Sequence, residues 1–232
     1  MSEGENADQA QGGRAVKLHH SAQTRSMRVL WLLNELGVEF ELVEHAMDGS
    51  LRSPSYLALH PAGRVPCLEV GDEVWWESGA IIELLCEHFP EGGLGRMPGQ
   101  PERAEWLSWL HFSETISQHV AALTQQHVML FDDAMRSPVV TKLEAARTGK
   151  CLDALEERLN GRDYLLDGGF SAADVAVGQA VYSAQRFHRI GERPALAAWW
   201  ARIEGRPAFK AALPQPGEKL LYERDFYAPW EG

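Results

Sequence analysis

Three short stretches carry residue types whose spacing suits chemistry. Glu77-Ser78 stands where a turn gives way to an apolar helical pattern. A serine there either caps the helix by accepting from an exposed backbone N–H, or joins the free N–H groups and the helix dipole in an anion site. Val65-Pro66, preceded by Arg64, opens an apolar run. A proline at that point sits trans on a sheet edge, or sits cis and turns the preceding N–H and C=O toward a ligand's backbone. Ser21-Ala-Gln-Thr-Arg-Ser26 places three hydroxyls just ahead of a helix, where Thr24 or Ser26 is suited to capping it. His111, His119 and His127 recur every eight residues. On a continuous helix those steps are about 12 Å, too long for two of them to share a metal, so no metal site is expected.

The 232 residues are enough for one large domain or two small ones with a core that needs no disulfide or metal. Hydrophobic residues make up 45% and charged residues 24%, an ordinary globular balance. The 33 acidic against 22 basic side chains leave a formal charge of −11, which repels phosphate backbones and anionic headgroups, so neither nucleic acid nor membrane is an expected partner. Apolar runs such as Val29 to Leu33 fall far short of the roughly 18 residues that span a bilayer. Cys67, Cys86 and Cys151 are scattered without a C-x-x-C pair, and residues 1–13 have neither a basic nor an apolar leader region. Buried thiols in a reducing compartment, and a cytoplasmic location, are the expectation.

Elements that must hold the three stretches can be read from periodicity. Residues 1–13 read as a disordered tail. Ala15–His20 reads as a strand; Val29, Leu32, Leu33 and Leu36 then repeat as one helix face ending at Gly37; Val38–Val43 alternates as a second strand, which makes a βαβ unit with a parallel pair. A short helical segment follows Ser53-Pro54, then strands over 65–70 and 73–76 joined by Gly71-Asp72, and a helix over 78–89. The Pro- and Gly-rich stretch 90–101 reads as a linker. Beyond it, helical periodicity predicts helices at about 102–130, 137–160, 171–188, 194–204 and 206–212, one opened by the capping box Ser171-x-x-Asp174. The fold class is therefore a βαβ-α-ββα domain over 14–89 plus an all-α domain over 102–213. A C-terminal extension, 214–232, is aromatic enough to pack.

His60 to Ile82, with Val65-Pro66 and Glu77-Ser78 inside it, closely resembles the signature stretch of cytosolic glutathione transferases. Thr24 to Gly37 resembles their first helix, and Gly169-Phe-Ser-Ala-Ala-Asp174 is similar to their helical-domain capping motif. The resemblance spans roughly residues 15 to 212. It implies a thioredoxin-like first domain, a cis Val65-Pro66 bond with Val65 pairing to the cysteinyl backbone of glutathione, and Ser78 with the helix N-terminus holding the γ-glutamyl carboxylate. It further implies Glu77 near the ligand's amino group and Arg64 on its glycine carboxylate. The 21–26 loop is where the family places the group that activates the thiol. No Tyr or Cys occurs there, so the chain reads as the bacterial, Ser/Thr-dependent type.

Thr24, or its neighbour Gln23, aligns closest to that position; Ser21 and Ser26 are the competing hydroxyls, and Arg25 either lowers the sulfur pKa or is a surface charge. A free thiol titrates near 8.5, and stabilising its anion takes about 1.4 kcal/mol for each pKa unit. The implied activity is transfer of glutathione, the co-substrate, to an electrophilic, apolar or aromatic partner, in a cleft near Ser21, His111, Phe112 and Thr115. No tightly bound cofactor is implied; a homodimer is. Peroxidase, dehalogenase, isomerase or ether-cleaving enzymes, and a non-catalytic glutathione-binding module, share the same motifs.

Overall fold

Residues 15–229 are described by the computed structural model. The expected tail over 1–13, and Trp230 of the extension, lie outside the described residues. The first half of the chain folds as β1 (Val16–His20), α1 (Ser26–Leu36), β2 (Glu41–Glu44), α2 (Pro54–Leu57), β3 (Cys67–Val70), β4 (Glu73–Trp76) and α3 (Ser78–His88). The sheet order is β2-β1-β3-β4, with β1 parallel to β2 and antiparallel to β3, and β3 antiparallel to β4. The second part is helical: α4 (Arg103–Thr124), α5 (Pro138–Leu159), α6 (Ala172–Ala184), α7 (Pro194–Glu204) and α8 (Pro207–Ala211).

Several boundaries differ from the periodicity for local reasons. β2 starts at Glu41 and not Val38, because α1 ends in a Schellman cap: Gly37 is left-handed at φ 66° and the Val38 N–H returns to the Leu33 carbonyl. α6 stops at Ala184, four residues short of 188. Arg186 and Phe187 donate to Ser183 and Ala184 in tighter turns, which frees the Arg186 carbonyl to accept from Tyr227. α4 gives way at Gln125–Met129 to one wide π-type turn. β3 begins at Cys67, past the proline.

α1 is apolar on nearly every side, with Met27, Val29, Leu30, Trp31, Leu32 and Leu33 all buried. Such a helix has to be covered on both flanks. One flank lies on β1 and α3, and the other on α6 and α8, where Trp31 meets Phe209 edge-on at 4.9 Å. α6 in turn is packed against α4 and capped as the sequence predicted. The Ser171 hydroxyl accepts from Ala173, and Asp174 accepts from the Ser171 N–H at 2.9 Å. Trp106 and Trp199 are fully buried.

Candidate active site

The register of the sheet brings the three chemical stretches to one edge. His19 pairs with Cys67, and Cys67 with Trp76, so the end of β1, the start of β3 and the end of β4 lie side by side. From that edge issue the 21–26 loop, the Arg64-Val65-Pro66 turn and the N-terminus of α3. The Val65-Pro66 bond is cis. The strand ladder begins two residues after Val65, so Val65 lies outside it. Arg64 is exposed and forms no ion pair among the described residues, while its carbonyl accepts from the Tyr56 hydroxyl at 2.7 Å.

Ser78 is not a cap. It is the first residue of α3, Glu77 occupies the capping position at φ 70°, and no side chain caps the helix. A non-glycine residue in that region costs about 1 to 3 kcal/mol, a strain that the packing around it must offset. The result is a helix start whose first N–H groups are left for something else.

The loop hydroxyls differ in what they are already doing. Ser21 is buried and donates to the His45 carbonyl at the end of β2. Ser26 is fully buried and sits between His20, Thr24 and the Ser21 N–H. Thr24 is only half-buried, its Oγ1 2.8 Å from the Ser21 carbonyl. Gln23, the other residue aligned to this position, is buried with left-handed backbone at φ 59°, and its Oε1 accepts from the Tyr222 N–H at 2.7 Å. That bond ties the C-terminal extension to the loop, and the Tyr222 hydroxyl, 2.8 Å from Thr124 Oγ1, fastens it to α4.

Neighbours on β1 point to opposite faces, as a strand requires. His19 stacks on His45 and bonds Glu69 at 2.9 Å. His20 enters the loop, and its burial lowers its pKa to about 4. The native protein therefore keeps His20 neutral, while an unfolded chain takes up a proton below about 6.5. Stability contributed by this residue is complete above pH 6.5 and falls as the pH drops toward 4, by up to about 3 kcal/mol. Urea midpoints measured from pH 7 to pH 4 should drop less steeply in His20→Asn than in the wild type.

One group at the site, inside the first-helix stretch, has a role that the motifs do not assign. The Arg28 guanidinium is fully buried and contacts Ser113 at 3.1 Å, Ser117 at 3.0 Å, Gln179 at 2.8 Å and Ser78 at 3.4 Å. It pairs with Glu114, which also takes Arg25 at 2.7 Å. Burial acts to raise the Glu114 carboxyl, but the two arginines overcome it and hold it below the usual carboxylate range. Arg25 is thus engaged by a carboxylate, which offsets the field it directs at the loop. A signal for Arg28 did exist in the sequence: a cation inside a helix that is apolar all round has no solvated face to occupy.

His111, Phe112 and Thr115, the residues expected to line the co-substrate cleft, point in different directions around α4. His111 turns toward α3, 3.2 Å from Glu83. Phe112 stacks edge-on against Trp109, which lies beneath Arg158 of α5. Thr115 is exposed. Successive helical residues are 100° apart, and the face of α4 that meets Arg25 of the loop and Arg28 of α1 is the one carrying Ser113, Glu114 and Ser117. His119 pairs with Glu144, and His127 lies against Phe187 and Tyr227, so the three histidines have separate surroundings. Burial pushes the Cys67 thiol up to about 11 and Cys86 up to about 12, values that leave both unreactive at neutral pH.

Comparison with known proteins decides the family. Residues 24–88 match the glutathione S-transferase N-terminal domain and residues 128–207 match the glutathione S-transferase C-terminal domain. Glutathione S-transferase 3 of Zea mays is 35% identical over 203 residues, covering 82% of this chain and 90% of that protein. The chain belongs to the glutathione S-transferase family. Glutathione S-transferase F13 of Arabidopsis thaliana is 31% identical, covering 86% of this chain and 95% of that one. A theta class glutathione S-transferase from Xanthomonas axonopodis pv. citri, solved with glutathione bound, superposes with a TM-score of 0.76 at 26% identity. It covers 88% of this chain and 99% of that one. Glutathione transferase F7 of Populus trichocarpa superposes with a TM-score of 0.75 at 29% identity over 85% and 97% of the two chains. The thioredoxin-like sheet with its appended helical part is the glutathione S-transferase fold.

Proposed function

We propose that the protein is a glutathione transferase that binds glutathione along the sheet edge and presents its sulfur to Thr24 as a thiolate. The observation that carries this reading is the convergence of an unladdered Val65, an uncapped α3 and a half-buried Thr24 hydroxyl at one edge of the sheet. Val65 pairs with the cysteinyl backbone; the α3 N–H groups and the Ser78 hydroxyl take the γ-glutamyl carboxylate; Glu77 faces the amino group; Arg64, without an ion pair among the described residues, takes the glycine end. The acidic chain as a whole repels an anionic tripeptide, so binding rests on these local donors.

Of the three hydroxyls, Ser21 is turned toward His45 and Ser26 is sealed from solvent, which favours Thr24 as the group that meets sulfur. A hydrogen bond to a charged group is worth about 1.5 to 3 kcal/mol, or roughly 1 to 2 pKa units on the thiol. Thr24→Val is expected to raise the pKa of bound glutathione by that amount, read as thiolate absorbance against pH, with kcat for an activated aryl chloride falling about tenfold or more. Ser78→Ala is expected to act on KM for glutathione instead. An unchanged thiol pKa in Thr24→Val removes the assignment.

The electrophile sits in the cleft beside the loop and α4, where His111 and Thr115 are exposed, and a substrate panel run with glutathione distinguishes transfer from peroxidase or dehalogenase chemistry. We place the protein in the cytosol as a homodimer. Its three buried, free cysteines suit a reducing compartment, and the exposed apolar side chains Phe131 and Met135 ahead of α5 and Val139 and Leu143 on its first turns suit a protein–protein contact.

A further inference from the structure

We propose that His20 is a positioning residue that, through Ser26, turns Thr24 into a donor with no free lone pair, so that Thr24 favours thiolate over thiol. The inference rests on the reading of Thr24 given above. A hydroxyl has one proton and two lone pairs. Thr24 Oγ1 lies 2.8 Å from the Ser21 carbonyl, which only accepts, so the Thr24 proton points there. Thr24 Oγ1 also lies 2.8 Å from Ser26 Oγ, and with its own proton spent it must be the acceptor in that bond. The Ser26 proton is thereby used. Ser26 Oγ is 2.8 Å from His20 Nδ1, and that contact must carry the histidine's proton.

The remaining contacts complete the count. Ser26 Oγ accepts from the Ser21 N–H at 3.1 Å, and Thr24 Oγ1 accepts from the Ser26 N–H at 3.3 Å. Both hydroxyls then donate once and accept twice. A second acceptor for Ser26, the Ser21 carbonyl at 3.2 Å, is farther than Thr24, and its two lone pairs already take the Thr24 hydroxyl and the Thr24 N–H. The opposite tautomer fails the same count. If Ser26 donated to His20, one of the two 2.8 Å contacts of Thr24 would hold two facing lone pairs and no proton. Burial keeps His20 neutral, so it has a single ring proton, and the network places that proton on Nδ1.

When a sulfur atom arrives, the Thr24 proton swings to it and the Thr24 oxygen moves off the Ser21 carbonyl, which keeps the Thr24 N–H at 3.3 Å, while the bonds from Ser26 behind Thr24 keep their direction. With both lone pairs occupied by Ser26, Thr24 has nothing to offer a thiol's S–H and only a proton to offer an anion. Bonds fed into a hydroxyl oxygen also strengthen the bond it donates, by roughly 10 to 30% each.

Asparagine at position 20 keeps an N–H near the place of Nδ1–H, whereas glutamine extends its amide toward the place of Nε2. Bound-glutathione thiol pKa, measured by thiolate absorbance, is expected to stay at the wild-type value in His20→Asn and to rise by about 0.3 to 0.6 units in His20→Gln, with KM for glutathione unchanged. Nitrogen-15 correlation spectra of the wild type without ligand are expected to show His20 protonated at Nδ1. Equal thiol pKa values in the two variants, alongside a shifted Thr24→Val, overturn the relay and leave Thr24 in place. An unshifted Thr24→Val overturns both. Protonation at Nε2 overturns the relay by itself, whether or not any variant folds.

Discussion

Replacing Arg28 with methionine is expected to lower the unfolding free energy by about 3 to 5 kcal/mol, measured by urea denaturation at neutral pH and fixed protein concentration. The side chain is fully buried and its guanidinium bonds Ser113, Ser117 and Gln179 besides its ion pair with Glu114. Methionine fills a similar volume but leaves the buried Gln179 Oε1 without those N–H donors and Glu114 with Arg25 alone. Lysine retains the charge but has no planar fork to reach α4 and α6 together, so Arg28→Lys should recover only part of the loss. Pairing Arg28→Met with Glu114→Gln should cost less than the sum of the two single changes, since the carboxylate left behind is part of the penalty. A loss below about 1 kcal/mol in Arg28→Met would show that the cluster is solvated in solution.

The second large effect is expected at Asp174. Its carboxylate is fully buried and accepts from the Leu165 N–H at 3.0 Å, the Trp199 indole at 2.9 Å, and the Ser171 N–H and hydroxyl. It therefore joins the loop before α6, the start of α6 and the body of α7 at one point. Asp174→Ala strands these donors without water, at about 1 to 3 kcal/mol for each one left unpaired, so a total of about 4 kcal/mol is expected. For a chain of this size that is a fall in Tm of roughly 8 to 16 °C. Asp174→Asn keeps one oxygen and should fall between. Because the hydrogen bonds of Asp174 go to Leu165, Ser171 and Trp199 and to none of the residues of the glutathione-binding edge, KM for glutathione at a temperature where the variant is folded should not move.

How far the sequence could be read depended on whether a feature is local. The βαβ unit, the ββ hairpin and the helices after residue 102 follow from patterns within 10 to 20 residues, and the register that gathers the site follows once β1, β3 and β4 are paired. Ser171 and Asp174 form their capping box within one turn, and the structure contains it. The co-substrate wall was harder. Which of its residues, His111, Phe112 and Thr115 among them, α4 turns toward the cleft is a question of helix rotation, and α4 is mixed enough in composition that no single face is marked. The role of Gln23 depends on a backbone N–H 199 residues away, which no window along the chain reaches. His20 and Ser26 were visible as a histidine and a hydroxyl, but the direction of their bond comes only from counting every contact around them.

Arg28 also sets an order of events during synthesis. Its helix leaves the ribosome early, while Gln179, which accepts two of its bonds, follows 151 residues later. At roughly 5 to 20 residues per second, the guanidinium waits about 8 to 30 s for that partner. Through that interval the nascent sheet domain carries an apolar helix with an unpaired cation in its first turn, so the flank of α1 that α6 and α8 cover stays open to water until the second half arrives.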